Sequence, residues 1–180
     1  AAAGLPVFDA DACVHRLYAG EAVAAIADAF PDVAIGGSID RQLLGARVGA
    51  DALALRRLEG IVHPLVRREE NRFLDRVRTA GARAAVVDVP LLLETEGGAR
   101  ADIVVVASAP IELRRQRALA RGMPSERFDA LAARQLSDEE RARRSHFVIG
   151  TGGGLATTRQ AVVEVLRAIA PVFAAGPAHI

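Results

Sequence analysis

At 180 residues, 51% of them hydrophobic and 25% charged, the chain has the composition of one globular domain with an ordinary core and room for a subdomain. A net charge of +1 gives no electrostatic case for a nucleic-acid partner, and no apolar run is long enough to span a membrane. One cysteine, Cys13, excludes an internal disulfide framework, and the opening residues lack the basic start and apolar stretch of a signal peptide, so a reducing, cytoplasmic setting is expected. All 23 Lys-plus-Arg residues are arginine, and the chain starts without methionine in an Ala-rich stretch. That pairing leads to the expectation of an N-terminus that continues upstream.

The apolar run Leu5 to Phe8 ends in two carboxylates, Asp9 and Asp11. In a parallel α/β sheet, ligands sit beyond the carboxyl ends of strands, so this is a place where chemistry is expected. If the extended pleat continued, the two side chains would point the same way; alternatively Asp9 starts a helix through Ala12-Cys13-Val14. Val23, Ile26, Ala27 and Phe30 then trace an amphipathic helix stopped by Pro31. Gly36-Gly37-Ser38 reads as a turn, Asp40 as the cap of a helix through Val48, and Asp51 as the start of another. That helix should break at His63-Pro64, because proline lacks the amide donor and restrains the residue before it. A longer helix through Val66, Phe73 and Val77 should close at Gly81.

Ala84 to Val89 is nearly all apolar and β-branched, as a strand buried on both faces should be; Asp102 to Val106 repeats the pattern. An arginine-rich helix from Ile111 to Arg121 follows, broken by Gly122-Met123-Pro124. Ser137 to Glu140 has the spacing of a capping box. A short strand, Phe147 to Ile149, leads into the glycines of 150–154, and a last helix should bury Val162, Val163, Leu166 and Ile169, with a loosely ordered tail after Pro171. Alternating strands and helices predict a parallel α/β sheet, with the helical stretch 20–82 as an inserted subdomain between core segments 1–19 and 83–180.

Polar groups fall at three strand ends: Asp9 and Asp11, Asp88 with Glu94, and Ser108. Asp88 can equally serve backbone donors beside its proline. Arg114, Arg117 and Arg121 share a helix face by the three- and four-residue rule. Followed by Arg134, Arg141, Arg143 and Arg144, they suit a lid over phosphates, spanning about 111–145; the alternative is a solvated face balanced by Glu126, Asp129, Asp138, Glu139 and Glu140. No histidine spacing or thiol cluster supports a protein metal site. Glycines 150–154 do not fit a P-loop, which ends in Lys-Ser/Thr, and read as a turn.

Taken together, Asp9-Ala10-Asp11 with His15, Asp40-Arg41 with Leu44, Leu58-Glu59 with His63-Pro64, Asp88-Val89-Pro90-Leu91-Leu92-Leu93-Glu94, and Pro110 with Arg117 and Arg121 resemble the dephospho-coenzyme A kinase family in order and spacing. The Pro-Leu-Leu-Leu-Glu stretch and the His-Pro pair are the more specific parts. The resemblance implies a P-loop kinase-like fold and an enzyme that phosphorylates the ribose 3′-hydroxyl of dephospho-coenzyme A, with ATP and Mg2+. By position it makes Asp11 the catalytic base or orienter and Arg117 a catalytic lid arginine, with Arg121 and Gly152 on the ATP side. It places Asp9, His15, Arg41, His63, Pro64, Asp88, Leu92 and Glu94 at the acceptor.

The family opens with a strand and a glycine-rich P-loop carrying Lys-Ser/Thr, which these 180 residues do not contain. The expectation is therefore that the first, central strand and its loop lie upstream, in roughly twenty to thirty further residues, and that the 180 residues alone are inactive and marginally stable. Arg114 stands where the family often has glutamine, and Ser145-His146 where it often has Ala-Asp. A related small-molecule kinase for another hydroxyl acceptor, or a binding protein that has lost its P-loop, are the alternatives.

Overall fold

The structure, a computed structural model, describes residues 4–49, 51–94 and 96–174. The chain divides into two compact units that meet in sequence between Pro90 and Leu91. Among the described residues no helix is long and apolar enough to cross a membrane.

In the first unit, β1 (Val7–Asp9) runs straight into α1 (Ala10–Leu17). The expected continuation of the pleat to Asp11 does not occur. The Asp9 carboxylate accepts the Ala12 amide at 2.8 Å and caps the helix, which satisfies an otherwise orphaned donor. β1 pairs in parallel with β4 (Val86–Asp88), with Asp9 opposite Asp88. Phe8 is buried beneath this pair and its ring meets Phe73 at 5.7 Å between centroids. Val7 and Val86, register partners on the other face, are each 41% exposed. The expectation of a strand buried on both faces therefore fails at β4, because this unit's helices cover only one side of the pair.

Between these strands lies the helical segment. α2 (Val23–Ala29) buries Ile26 and ends at Phe30 before a single 3₁₀ turn at Pro31–Val33. A two-stranded antiparallel hairpin follows, β2 (Ala34–Ile35) with β3 (Ser38–Ile39). Its corner residues Gly36 and Gly37 have φ of 59° and 81°, left-handed values that favour glycine and fit a tight hairpin. The turn is legible in Gly36-Gly37-Ser38, whereas the strands, two residues each, are too short to leave a pattern. Asp40 caps α3 (Arg41–Gly49) through the amides of Gln42 and Leu43.

α4 (Ala52–Thr79) is 28 residues long and passes through His63 and Pro64 without ending. The break expected at the His-Pro pair is thus corrected. Leu58 and Val62 before the proline are buried, and Leu65, Val66 and Phe73 after it pack on the same core, so burial on both sides outweighs the hydrogen bond that proline forfeits. Gly81, with φ 76°, then closes the helix as expected; Ala82 N donates to Val77 O and Gly81 N to Arg78 O, the paired bonds of a Schellman end.

The second unit opens with 3₁₀ turns at Leu92–Glu94 and Glu96–Arg100. β5 (Val105–Ser108) pairs in parallel with β6 (Phe147–Gly150). Between them come α5 (Ile111–Ala120), α6 (Ser125–Ala132) and α7 (Asp138–Arg143). Gly122 makes the expected break, with φ 83°, and Ser137 caps α7 through Glu140 N. α6 was not legible, since it has no side-chain cap and no fully buried residue. α8 (Gly154–Ala174) runs on through Pro171 rather than loosening there. Its Leu166 and Ile169 are half-buried, whereas Val162 and Val163 are 36% and 39% exposed, contrary to expectation. The tail beyond Ala174 lies outside the described residues.

Candidate active site

In the first unit the candidate groups gather where β1 and β4 end. Asp9 and Asp88, both exposed, leave neighbouring parallel strands at matching register. Asp11 is exposed in the first turn of α1, where the helix dipole favours a negative charge. His15 lies four residues on, so the two share an exposed helix face. Asp9 is a cap whose Oδ1 accepts the Ala12 amide, whereas Asp11 is exposed in the first turn.

Arg41 begins α3 and is exposed. Burial pushes the Tyr18 phenol up from its ordinary value, and the Arg41 charge partly offsets this. Tyr18 O also accepts Ile39 N at 2.8 Å, joining the end of α1 to the hairpin that leads into α3. His63 and Pro64 are exposed side by side in the middle of α4, which packs on α1, α2 and α3. The thiol of Cys13, 1% exposed, is raised chiefly by burial and takes no part in the exposed group.

In the second unit the arginines do not form one common face. Arg114 donates to Gln135 Oε1 at 3.0 Å and to both Asp138 oxygens, and Arg141 donates to the same Asp138 carboxylate. Arg115 grips α6: it donates to Asp129 and to Ser125 Oγ, and its guanidinium lies over the Phe128 ring at 5.7 Å. Arg143 and Arg144 share Glu140, and the Arg144 hydrogen bond is the chief cause that holds that carboxyl below the usual carboxylate range. The acids therefore do balance these arginines, as one alternative had it, but Arg114 and Arg115 use them to tie one helix to another.

Arg117 behaves differently. Its guanidinium donates to the carbonyl of Thr151 at 2.9 Å, while Thr151 donates through both N and Oγ1 to Ser108 O. A Cβ on Gly152 would stand 3.7 Å from Pro110 Cδ and 3.9 Å from Leu113 Cδ2, so this loop lies against the start of α5. Arg117, Ser108 and Gly152 are thus brought together, with Arg121 exposed at the end of the same helix. Thr151 gave no signal in the sequence, since its part is mainly through backbone atoms.

Glu94 takes a role the motif did not suggest. Its Oε1 accepts the backbone amide of Leu136 at 2.8 Å, across 42 residues of sequence. Leu92 and Glu94 are both half-buried in the 3₁₀ turn that follows Leu91. His146, where the resembling family often has Asp, accepts the Val104 amide through Nδ1 at 3.0 Å, so it serves the strand entry rather than a ligand.

Two parallel strand pairs, one of them ending in carboxylates, joined by helices of which one group is laced with arginine, fit an α/β phosphotransferase of P-loop kinase-like fold. The profile of the Dephospho-CoA kinase family matches residues 1–169. Curated relatives named dephospho-CoA kinase include proteins about half identical to this chain. The Rhodopseudomonas palustris protein is 50% identical over 171 residues, covering 94% of this chain and 86% of its own length. The Mesorhizobium japonicum protein is 52% identical over 171 residues, with 93% and 87% covered. A crystal structure from Thermus thermophilus superposes with a TM-score of 0.81 at 30% identity, covering 93% of this chain and 85% of that one. A dephospho-CoA kinase structure from Campylobacter jejuni, at 23% identity and TM-score 0.61, shares the fold. The chain belongs to the dephospho-CoA kinase family.

Proposed function

We propose that the protein transfers the γ-phosphoryl group of ATP to the ribose 3′-hydroxyl of dephospho-coenzyme A, completing coenzyme A. The observation that carries this reading is the family match, which runs through 94% of the chain at 50% identity to a relative of that name. Asp11 accepts the proton of the attacking hydroxyl, which requires a carboxylate within hydrogen-bond reach. His15, Arg41, His63 and Pro64, with Asp9 and Asp88, form the acceptor side, and residues 20–82 are its helical insert. Residues 111–145 act as the lid. Arg117 and Arg121 stabilise the charge that spreads over the phosphoryl oxygens, and Gly152 lies on the nucleotide side.

Mg2+ fits this donor set. Among the described residues no group of three or more His, Cys, Asp or Glu side chains could cage a metal, and Mg2+ is commonly held by one or two carboxylates with nucleotide phosphates and water. Asp9 and Asp88 would supply those carboxylates. The ion neutralises charge on the β- and γ-phosphoryl oxygens when bound. The single buried cysteine suits the cytoplasm. Incubating the full-length protein with ATP, Mg2+ and dephospho-coenzyme A should yield coenzyme A by mass spectrometry, and chelation of the metal should stop it. Turnover confined to a different hydroxyl acceptor would reject this substrate.

A further inference from the structure

The signature turn 91–94 is bound at both ends of α7. Glu94 Oε1 accepts Leu136 N just before the helix, and Arg144 Nη1 donates to Leu93 O at 3.4 Å just after it. At the head of that turn Leu91 has φ 58°, a left-handed conformation that is unfavourable for a branched residue. Among the described residues it is the one non-glycine with a positive φ. Such a conformation persists only where the surroundings impose it, and bonds from both ends of one helix onto residues 93 and 94 do so. Beyond Leu136 the contacts continue. Gln135 and Asp138 flank it and hold Arg114, which sits three residues before Arg117 on α5.

We propose that Glu94 is a positioning residue: through Leu136 it seats the start of α7, and through Gln135, Asp138 and Arg114 it fixes the helix that carries Arg117. The Pro-Leu-Leu-Leu-Glu segment is in this way coupled to the arginine helix through a backbone amide, and its glutamate does not need to touch the acceptor. α7 has no fully buried residue, so its seating depends on polar contacts of this kind. The inference rests on the kinase reading above for its kinetic arm and on the hydrogen bond alone for its exchange arm.

The full-length protein with Glu94→Ala and with Glu94→Gln decides it. A glutamine keeps a carbonyl oxygen that can accept the Leu136 amide, but carries no charge. We expect Glu94→Ala to lower kcat roughly tenfold, as coupled residues in one network do, with KM for dephospho-coenzyme A within about twofold. Glu94→Gln should recover kcat to within about threefold of wild type. Amide exchange in a peptide covering 134–137 should quicken in the alanine variant and stay slow in the glutamine variant. A glutamine variant as impaired as the alanine one would overturn the proposal in favour of a charge contact with substrate, and so would wild-type kinetics for Glu94→Ala. Should the alanine variant not fold, Glu94→Asp, one methylene shorter, takes its place with the same two outcomes. Failure of the wild type to phosphorylate dephospho-coenzyme A would reject the kinase reading instead, and slow exchange at 134–137 in Glu94→Ala would then still reject the latch.

Discussion

Asp9 and Asp88 stand opposite each other at the last residues of two parallel strands, yet Asp9 spends one oxygen on the Ala12 amide. That division separates a capping carboxylate from the exposed Asp11 two residues on. Asp11→Asn in the full-length protein should lower kcat by about 10²- to 10⁴-fold, the usual size of general-base assistance, with KM for dephospho-coenzyme A changed less than about threefold. Steady-state kinetics check this; equal losses in turnover and acceptor binding would leave Asp11 with a binding role. Asp9→Asn should keep the helix, because asparagine caps as well as aspartate.

Pro64 sits inside α4 with no amide to offer the carbonyl of Gly60, four residues before it. Its exposure means that no core contact is lost on replacement. Pro64→Ala should therefore stabilise the protein by about 1–3 kcal/mol, seen as a higher urea midpoint at unchanged slope. The same change should raise KM for dephospho-coenzyme A if the pair His63-Pro64 shapes the acceptor side. A midpoint that stays put would mean that α4 already accommodates its proline without loss.

The contrast between Pro64 and Gly81 shows what the sequence could and could not convey. Both were read as helix stops from local chemistry, and Gly81 is one, because nothing beyond it competes with its left-handed turn. At Pro64 the same local rule yields to Leu58, Val62, Leu65 and Phe73, which share a core with Leu17, Ile26 and Leu44 from elements earlier in the chain, contacts that no window around the proline contains. Caps were legible throughout: Asp40, Asp51 and Ser137 each accept the amides their positions called for. Candidate site residues were legible where side chains are exposed, as at Asp11, His15 and His63. It was hidden where a side chain serves a distant backbone atom, as with Glu94 on Leu136 and Arg117 on Thr151. No spacing rule reports a partner 42 residues away.

Arg115 is the main tie on α6, an eight-residue helix with no side-chain cap and no fully buried residue. The pair it makes with Asp129 is substantially exposed, at 42% and 55%, so its direct contribution to global stability should be small, on the order of 1 kcal/mol or less. Its local effect should be larger. Arg115→Ala should speed amide exchange across residues 125–132 while leaving 111–120 protected. Arg115→Lys should rescue little of this, since an ammonium cannot fork across Asp129 and Ser125 while lying over Phe128. Unchanged exchange in α6 would show that the turn at Gly122 alone orients it.

Asp51 gives the clearest pH dependence. Amides of Ala54 and then Leu53 hydrogen-bond its carboxylate and hold its pKa below the ordinary value. A group whose folded pKa is depressed stabilises the fold above its unfolded pKa, near ~3.9 for aspartate, and loses that contribution as pH falls through the folded value. Thermal midpoints of Asp51→Asn should thus match wild type near neutral pH and fall less steeply below about pH 4. Asp51→Ala, with no acceptor for either amide, should melt about 2–4 °C lower at neutral pH. Parallel acid slopes for wild type and Asp51→Asn would deny Asp51 this part.

Arg117 has two claims on its guanidinium: the Thr151 carbonyl, which it holds at 2.9 Å, and the phosphates that the kinase reading assigns to it. The claims are compatible, because five N–H donors in a planar fork can serve a carbonyl and an anion together. They are also separable. Removing the side chain by Arg117→Ala should cost kcat about 10²-fold or more, as loss of a donor to transition-state charge does. Arg117→Lys keeps the charge but not the fork, and should fall between wild type and alanine. Loosening the loop alone, by Thr151→Val, removes the Oγ1 donor to Ser108 O and leaves the Thr151 carbonyl in place. That variant should raise KM for ATP a few-fold with kcat nearly intact. If Thr151→Val and Arg117→Ala instead lowered kcat equally, the role of Arg117 would be to hold the loop after β6, and phosphoryl stabilisation would pass to Arg121 at the end of the same helix.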